Sequence, residues 1–269
     1  PRLLIENPEI KAVSPQASPD GTKIAFVNKG DIWQVNLDGS DLKQITFGDS
    51  CKTRGVADYI AQEEMGRSNG FWWSLDSKFI AFSEVDNSQI PAFKISHLAD
   101  NNHQDEIHYY PFVGSDNPIV RIGIVDTDSL ELSWIDTSNY EYIPRLNWVK
   151  SNEVLVQLQN REQTKLDVNL YTNSGEFLRT IIQEESNYWI NIHEAFQNLF
   201  DGKYVWTSEK TGFRHLYDLD ITTGELNQIT SGDWQIDSFE GFNKDTNELF
   251  FTATKDSELE KHLYRINKE

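Results

Sequence analysis

The chain is poor in cysteine, in methionine and in positive charge. Cys51 is the only cysteine among 269 residues, which excludes an internal disulfide and therefore a disulfide-stapled scaffold. The 24 lysines and arginines face 43 aspartates and glutamates, so the formal charge is −19. Because neutralising phosphates requires a basic surface, we expect no nucleic-acid partner, and the negative charge favours cationic partners instead.

Long apolar runs are also missing. No stretch approaches the roughly 20 apolar residues that span a bilayer, so we expect no membrane-spanning helix. The chain opens at Pro1 without a signal-like segment, and we expect it to be a piece of a longer protein. What it has in quantity is aromatic residues, 15 Phe, 10 Tyr and 8 Trp, which suit packed β-sheets.

A repeated unit of turns and strands runs along the chain. Its first copy has a turn at Ser18 to Gly21, strands at Lys23 to Val27 and Asp31 to Asn36, a turn at Asp38 and Gly39, and a strand at Lys43 to Thr46. The same order of signals returns near Asp76, Ser151, Asp201 and Asp245. Two longer gaps are expected to hold insertions.

This spacing predicts an all-β fold. Repeats of about 40 to 50 residues with about four short strands each are typical of β-propeller blades. A β-sandwich does not predict such a repeat, and no helical period separates the strands as a parallel α/β fold requires. We therefore predict that residues 1–269 form one segment of about five to six four-stranded blades, an incomplete propeller.

One short helix is predicted within an insertion. Residues from Asp58 to Arg67 include several good helix formers, and Asp58 could cap the helix start. Two neighbouring glutamates, Glu63 and Glu64, lie inside this helix, just before the aromatic start of a strand.

The residues around this insertion resemble a known family. The stretch YIAQEEMGRSNGFWWSLDSKFIAF is similar to the propeller region of bacterial dipeptidyl peptidase IV, a serine exopeptidase of the prolyl oligopeptidase group. The similarity continues through NYWINIHEAFQNLFDGKYVWTSEKTGFRHLY, LNQITSGDWQID and FFTATKDSELEKHLYRI. These segments cover most of the chain and follow one another in the family's order.

The resemblance implies an eight-bladed propeller stacked on an α/β-hydrolase domain that follows in the full-length chain. The enzyme would release N-terminal X-Pro dipeptides, without a cofactor or metal, and could be a homodimer and exported, for example to the periplasm. We expect this segment alone to be inactive, because we find in it no G-x-S-x-G nucleophile elbow, no strand-elbow-helix context for one and no convincing triad histidine.

The resemblance also implies a substrate-binding role for three residues. Glu63 and Glu64 match the glutamate pair that holds the free N-terminus of the peptide substrate. An α-ammonium has three N–H donors and a full charge, so ionised carboxylates are its best partners. Trp189 approximately matches an aromatic wall beside the second substrate residue, although a core tryptophan remains an alternative for it.

Other interpretations of these residues stay open at the level of sequence. Most Glu-Glu pairs are solvated helix ends, and adjacent carboxylates rarely act as the separated acid and base of a glycosidase. The run DNNHQDEIH at 100–108 has metal-ligating side chains, but neither calcium-loop nor zinc spacing, so a solvated loop is favoured. As a whole, the chain could also be a propeller scaffold that binds proteins and carries no peptidase.

Overall fold

Consecutive strands form a series of antiparallel sheets, and the predicted all-β class is confirmed. The computed structural model describes residues 3–49, 51–97, 105–192, 194–200 and 202–268. The chain divides into two compact units, Pro1–Arg161 with Val168–Arg179, and Glu162–Asp167 with Thr180–Glu269. In the described residues, no helix is long and apolar enough to cross a membrane.

Sheet 1 and sheet 2 contain the first eleven strands apart from a separate hairpin. Sheet 1 has the order β1-β2-β3-β4 and sheet 2 the order β11-β10-β7-β5-β6, with β6 also paired to β7. The strands of sheet 1 are β1 (Val13–Ala17), β2 (Lys23–Asn28), β3 (Asp31–Asn36) and β4 (Lys43–Gln44). Those of sheet 2 are β5 (Lys52–Val56), β6 (Asn69–Trp73), β7 (Phe79–Asp86), β10 (Ile119–Asp126) and β11 (Leu132–Ile135).

Two insertions interrupt sheet 2. The one helix found in the described residues, α1 (Tyr59–Glu63), lies between β5 and β6. A two-stranded hairpin, β8 (Ala92–Ser96) and β9 (Asp105–Tyr109), lies between β7 and β10, and the strands pair from Ala92–Tyr109 to Ser96–Asp105. Both insertions were expected from the longer gaps between the repeats.

The remaining sheets follow the same order of consecutive strands. Sheet 3 contains β12 (Leu146–Lys150), β13 (Glu153–Gln159), β14 (Lys165–Thr172) and β15 (Phe177–Glu185). Sheet 4 contains β16 (Asn198–Phe200), β17 (Lys203–Ser208), β18 (His215–Asp220) and β19 (Leu226–Gln228). Sheet 5 has three described strands, β20 (Ile236–Asn243), β21 (Glu248–Ala253) and β22 (His262–Asn267).

Apolar side chains pack between neighbouring sheets within each unit. Successive side chains of a strand point to opposite faces, so the adjacent Trp72 and Trp73 of β6 serve different neighbours. Trp73 packs with Ala25 and Ile32 of sheet 1, whereas Trp72 packs against the cluster that contains Trp148 of sheet 3. The Trp148 indole also donates to the Trp72 carbonyl at 3.1 Å. In the second unit, sheets 4 and 5 pack through a cluster of their own, which includes Leu199, Val205, Leu216, Leu249 and Phe251.

A buried ion network crosses three strands of sheet 2. Glu84 of β7 is 1% exposed and lies directly opposite Arg54 of β5 and Arg121 of β10. Each arginine donates to one of its carboxylate oxygens. The Arg121 guanidinium also stacks 4.2 Å from the Trp134 ring centroid. Such a pair is costly to break on one side, because an uncompensated charge stays buried.

The same side-chain hydrogen bond, from a serine to an aspartate two residues later, occurs in two copies of the repeated turn. Ser18 donates its hydroxyl to Asp20 at 2.6 Å, and Ser74 donates to Asp76 at 2.7 Å in the second copy. The hydrogen bond from Ser18, followed by those from the Thr22 backbone and side chain, lowers the pKa of Asp20 to about 2.

Details of the first repeat differ from the sequence-based prediction. Strand β1 was not predicted, and it carries a register shift between Val13 and Gln16, with Ser14 at a φ of 51°. The predicted strand Lys43 to Thr46 is shorter, because Thr46 turns its hydroxyl back to the Ile32 amide at 2.9 Å and to Asp31. The first strand of a sheet was thus harder to recognise than the turn that follows it.

We predict that Glu84→Gln destabilises the fold by about 3 kcal/mol, the lower end of the cost of breaking a buried pair, because the buried Arg54 loses its closer charge partner and keeps only Asp31 at 3.4 Å. Denaturant unfolding of the two proteins measures the difference. As a matched control, Glu248→Gln removes a carboxylate from an ion pair with Arg265, whose side chain is 70% exposed, and should cost about 1 kcal/mol or less. Equal losses in the two variants would contradict the role given to the network.

A second prediction concerns Asp20 and acid. Its pKa is about 2 in the fold, below the ordinary value of 3.8, so its ionised form stabilises the fold above the ordinary value and this contribution is lost as the pH falls toward 2. The difference in unfolding free energy between the wild type and Asp20→Asn should therefore be constant near neutral pH and shrink below about pH 4. A difference that does not change with pH would argue against this.

Candidate functional site

The insertion that carries the glutamate pair is closed at its base. Strand β5 leads into it and β6 leads out, and these strands pair at Gly55–Gly70 and Val56–Asn69. The backbones are so close that a Cβ on Gly70 would lie 2.4 Å from the carbonyl carbon of Gly55. Glycine is therefore required at position 70, and residues 57–68 project from a fixed base.

Helix α1 begins where the sequence predicted, and it ends earlier. Asp58 is the N-cap, and its side chain accepts from the Ala61 amide at 3.1 Å. The predicted end at Arg67 is wrong, because the helix stops at Glu63 and Glu64 is the C-cap. Met65 is buried and Gly66 adopts a φ of 60°, so the chain turns inward at this point instead of continuing the helix.

The inner side of the helix faces sheet 2 and the segment that follows it. Ile60, Ala61 and Met65 line a narrow cavity together with Val120 and Ile143. Ala61 and Met65 are 2% and 6% exposed. These apolar contacts fix which side of the helix turns outward.

Glu63 and Glu64 both lie on the exposed side. In the part of the chain that the structure describes, no hydrogen bond or ion pair engages either side chain. Their negative charge acts on Tyr59, the first residue of the same helix. The pKa of Tyr59 is raised above its ordinary 10, first by a hydrogen bond with Tyr110, then by burial, and further by the negative charges that include Glu63 and Glu64.

The two arginines nearest to the pair in sequence are already engaged. Arg54 pairs with Glu84 and with Asp31, whose Oδ1 lies 3.4 Å from Nη1. Arg67 pairs with Asp58 and not with Glu64. Neither is positioned as a free cation beside the glutamates.

One further correction concerns a serine motif. Residues 66–70 read GRSNG and do match G-x-S-x-G, although no nucleophile elbow was expected in this chain. Ser68 lies between α1 and β6, so a helix precedes it and a strand follows, the reverse of the strand-turn-helix that an elbow requires. Among the described residues, Ser68 has no histidine or carboxylate partner. The expectation that the letters G-x-S-x-G are missing is therefore wrong, and the motif lies outside the strand-turn-helix context of a nucleophile elbow.

Trp189 belongs to the other compact unit. Its side chain is 52% exposed, so the alternative of a core tryptophan is wrong. The Ser186 hydroxyl accepts from the amides of Tyr188 and Trp189 at 3.2 and 3.3 Å, and this turn presents the two rings outward. Trp189 lines an open cavity of about 600 Å3 with three acidic residues, Glu184, Glu185 and Glu209.

Two other groups of polar residues are His215, which is buried, and the acidic run at 100–108. His215 is 1% exposed and hydrogen-bonds to the Thr230 hydroxyl and the Gly232 carbonyl at 3.1 and 3.0 Å, so its role lies within the second unit's structure. The acidic run at 100–108 lies partly outside the described residues. In the described part, no group of three or more metal-ligating side chains could hold an ion.

An aromatic connection between the two insertions was not anticipated. Tyr59 of α1 makes an edge-on contact with Tyr110 at 5.0 Å, Tyr110 contacts Phe112 at 4.9 Å, and Phe112 contacts Phe93 of the hairpin at 5.8 Å. The aromatic cluster in the letters YYPF, which begins at the last residue of β9, was the available signal. It links the helix that carries the glutamates to the hairpin inserted between β7 and β10.

Comparison with known proteins points to one family. The family model described as Dipeptidyl peptidase IV (DPP IV) N-terminal region matches residues 4–269. The chain is 26% identical to a probable dipeptidyl-aminopeptidase B of Coccidioides posadasii over 93% of its length, and 26% identical to human prolyl endopeptidase FAP, also over 93%. It spans 31% and 36% of these two relatives, about a third of their length.

Solved structures agree with this similarity. The crystal structure of Porphyromonas gingivalis dipeptidyl peptidase 4 matches 98% of the chain with a TM-score of 0.90 and 26% identity, and the chain covers 38% of that protein. A putative dipeptidyl aminopeptidase IV from Bacteroides ovatus matches 95% with a TM-score of 0.83; its 18% identity supports the fold alone.

The position of the two carboxylates can be tested through Tyr59. Because nearby negative charge disfavours the phenolate, Glu63→Gln and Glu64→Gln should each lower the raised pKa of Tyr59. A titration of the assigned Tyr59 ring signals by NMR measures this, with the removal of a distant exposed carboxylate, Glu258→Gln, as control. A Tyr59 titration that all three variants leave unchanged would show that the glutamates point elsewhere.

Proposed function

Because the chain belongs to the dipeptidyl peptidase IV N-terminal region family, we propose that it is the substrate-recognition and access-restricting part of a serine exopeptidase that releases N-terminal dipeptides. The catalytic serine would lie in an α/β-hydrolase domain elsewhere in the full-length protein. In this proposal, Glu63 and Glu64 bind the free α-ammonium of the peptide substrate.

The observation that carries the proposal is a pair of carboxylates with no cationic partner among the described residues, on an insertion whose two ends are fixed by strand pairing. Glu63 and Glu64 are exposed at the end of α1, and the nearby arginines are paired with other acids. The insertion that holds them is closed by the Gly55–Gly70 pairing and anchored by buried Ala61 and Met65. An ammonium group from outside the chain would supply the missing positive charge.

The chemistry of the pair suits a primary amine. An α-ammonium offers three N–H donors, and each ionised carboxylate can accept more than one of them. One helical step turns the direction of a side chain by about 100°, so two neighbours can approach one cation from different sides. A neutral, acylated N-terminus lacks the charge and two of the donors, and it would bind less well.

Holding the amine also explains why dipeptides would be released. If the N-terminus is fixed at one distance from the catalytic serine, only the peptide bond at that distance reaches the nucleophile. Such positioning lowers the barrier by presenting the reacting atoms in the correct geometry. Trp189, exposed in the cavity of the second unit, remains the proposed aromatic contact for a substrate side chain.

The test uses the full-length protein with Glu63→Gln and Glu64→Gln. Each substitution removes a charge-assisted hydrogen bond of about 1.5 to 3 kcal/mol, so kcat/KM for a free-amine X-Pro substrate should fall by about 10- to 100-fold. Labelling with an organophosphate should show that the catalytic serine remains reactive. The control Glu258→Gln removes the same charge from an exposed position and should leave kcat/KM unchanged.

Two outcomes would count against the proposal. Wild-type turnover of the free-amine substrate in both glutamine variants would remove the amine-binding role. A full-length protein whose serine cannot be labelled, and which cleaves no free-amine peptide, would favour the non-catalytic propeller scaffold.

A further inference from the structure

The ends of the insertion are joined by a buried ion pair. Asp58 lies just before α1 and Arg67 three residues after Glu64, so the two flank the glutamate pair on both sides. Arg67 Nη2 lies 3.7 Å from Asp58 Oδ2, and the side chains are 6% and 9% exposed. The sequence did not suggest this contact, because a spacing of nine residues has no meaning in a helix that stops at Glu63.

The two carboxylate oxygens of Asp58 have different partners. Oδ1 accepts from the Ala61 amide at 3.1 Å and caps the helix, while Oδ2 faces the Arg67 guanidinium. The cap and the ion pair are therefore separable by mutation. Asparagine caps helices about as well as aspartate and carries no charge.

Arg67 is held from several sides. Its Nη1 donates to the Asn69 carbonyl at 2.7 Å, its backbone amide donates to the Ala61 carbonyl at 2.9 Å, and its guanidinium lies 5.6 Å from the Trp72 ring centroid. Burial, opposed by Asp58 and assisted by Arg145, lowers the pKa of Arg67 to about 10, so the side chain stays charged at neutral pH. Asn69 and Trp72 belong to β6, and Arg67 thereby ties the insertion to the sheet.

The helix needs such a tie. Helices shorter than about 12 residues are marginal on their own in water, and α1 has five residues. The outer side chains at its end, Glu63 and Glu64, have no partner among the described residues that would fix them. Their direction depends on how the helix axis is held, and the contacts that hold it include the apolar inner face, the Tyr59–Tyr110 ring contact and the Asp58–Arg67 pair.

We propose that Asp58 and Arg67 are positioning residues for amine recognition, which set the direction of Glu63 and Glu64 without touching the substrate. This inference rests on the function proposed above. It differs from a general stabilising role because it predicts a change in substrate binding per correctly folded molecule.

The experiment measures steady-state kinetics of the full-length protein on a free-amine X-Pro substrate, with each preparation normalised to the serine labelled by an organophosphate. Asp58→Asn and Arg67→Met should each raise KM about tenfold, while kcat per labelled serine changes much less. Misplacing a binding group by about 1 Å can cost up to 100-fold. Arg67→Lys keeps the positive charge and should recover part of the affinity.

The double variant Asp58→Asn with Arg67→Met gives a further readout. If the two residues act as one unit, it should raise KM no more than the worse single variant, because the interaction has already been lost. The matched control is Lys268→Met, which breaks an ion pair with Asp218 of similar burial in the other compact unit. It should lower the amount of labelled serine, as a structural defect does, and leave KM unchanged.

Glu63→Gln and Glu64→Gln, measured in the same series, separate this inference from the proposed function. If the two glutamine variants raise KM and both Asp58→Asn and Arg67→Met keep the wild-type KM, the positioning role is overturned and amine recognition stands. If the two glutamine variants also keep the wild-type KM, amine recognition itself is wrong and the positioning role falls with it. If Arg67→Met yields no labelled serine, Asp58→Asn decides by the same criterion.

Discussion

Burial of both faces of sheet 2 is the constraint on which the rest of this structure depends. A sheet of short strands whose two faces are both apolar cannot cover either of them by itself. Trp72 and Trp73 meet the requirement in the first unit by packing in opposite directions from one strand. Side chains that face the neighbouring sheets are therefore committed to packing, and residues free to bind a ligand are confined to the connections between strands.

This constraint explains where the glutamate pair lies and why its base is rigid. The insertion leaves sheet 2 at Val56 and re-enters it at Asn69, directly opposite. Both flanking strands also pair with β7, and β7 carries the buried Glu84 with its two arginines. A site that must hold a small cation at a set place gains from such a base, because binding groups on rigid elements are more exact than those on free loops.

Much of the fold could be predicted from local signals, and the failures have local causes. The turns with aspartate and glycine and the alternating strands after them identified five repeats, and five sheets of three or more strands are found in the described residues. Strand β1 was missed because VSPQA contains a proline, which is uncommon within strands, and because its apolar residues lie on the exposed face. The helix end was placed too late because propensity favours helix through Met65, whereas the burial of that side chain and the turn at Gly66 end it.

The candidate site was less accessible to sequence reasoning. Glu63 and Glu64 were identified by resemblance, since composition alone favours a solvated helix end for two adjacent glutamates. The Asp58–Arg67 pair was invisible because it depends on the path of the chain between the two residues. The GRSNG string shows the opposite case, in which a motif is present in the letters and absent from the geometry.

In the proposed amine site, selectivity for a cation would depend on the two carboxylates and equally on the absence of a free arginine beside them. An acidic pair beside a free arginine would be neutralised from within and would gain little from a ligand. Here Arg54 and Arg67 lie close in sequence, but each is buried in a pair with another acid, and Arg121 shares Glu84 with Arg54. Each of these cations is held by at least one contact besides its carboxylate, with Asp31, with the Asn69 carbonyl or with the Trp134 ring. Since breaking a buried pair costs several kcal/mol, they cannot swing out to meet the exposed glutamates. The same interactions that stabilise the sheet therefore keep the recognition site anionic.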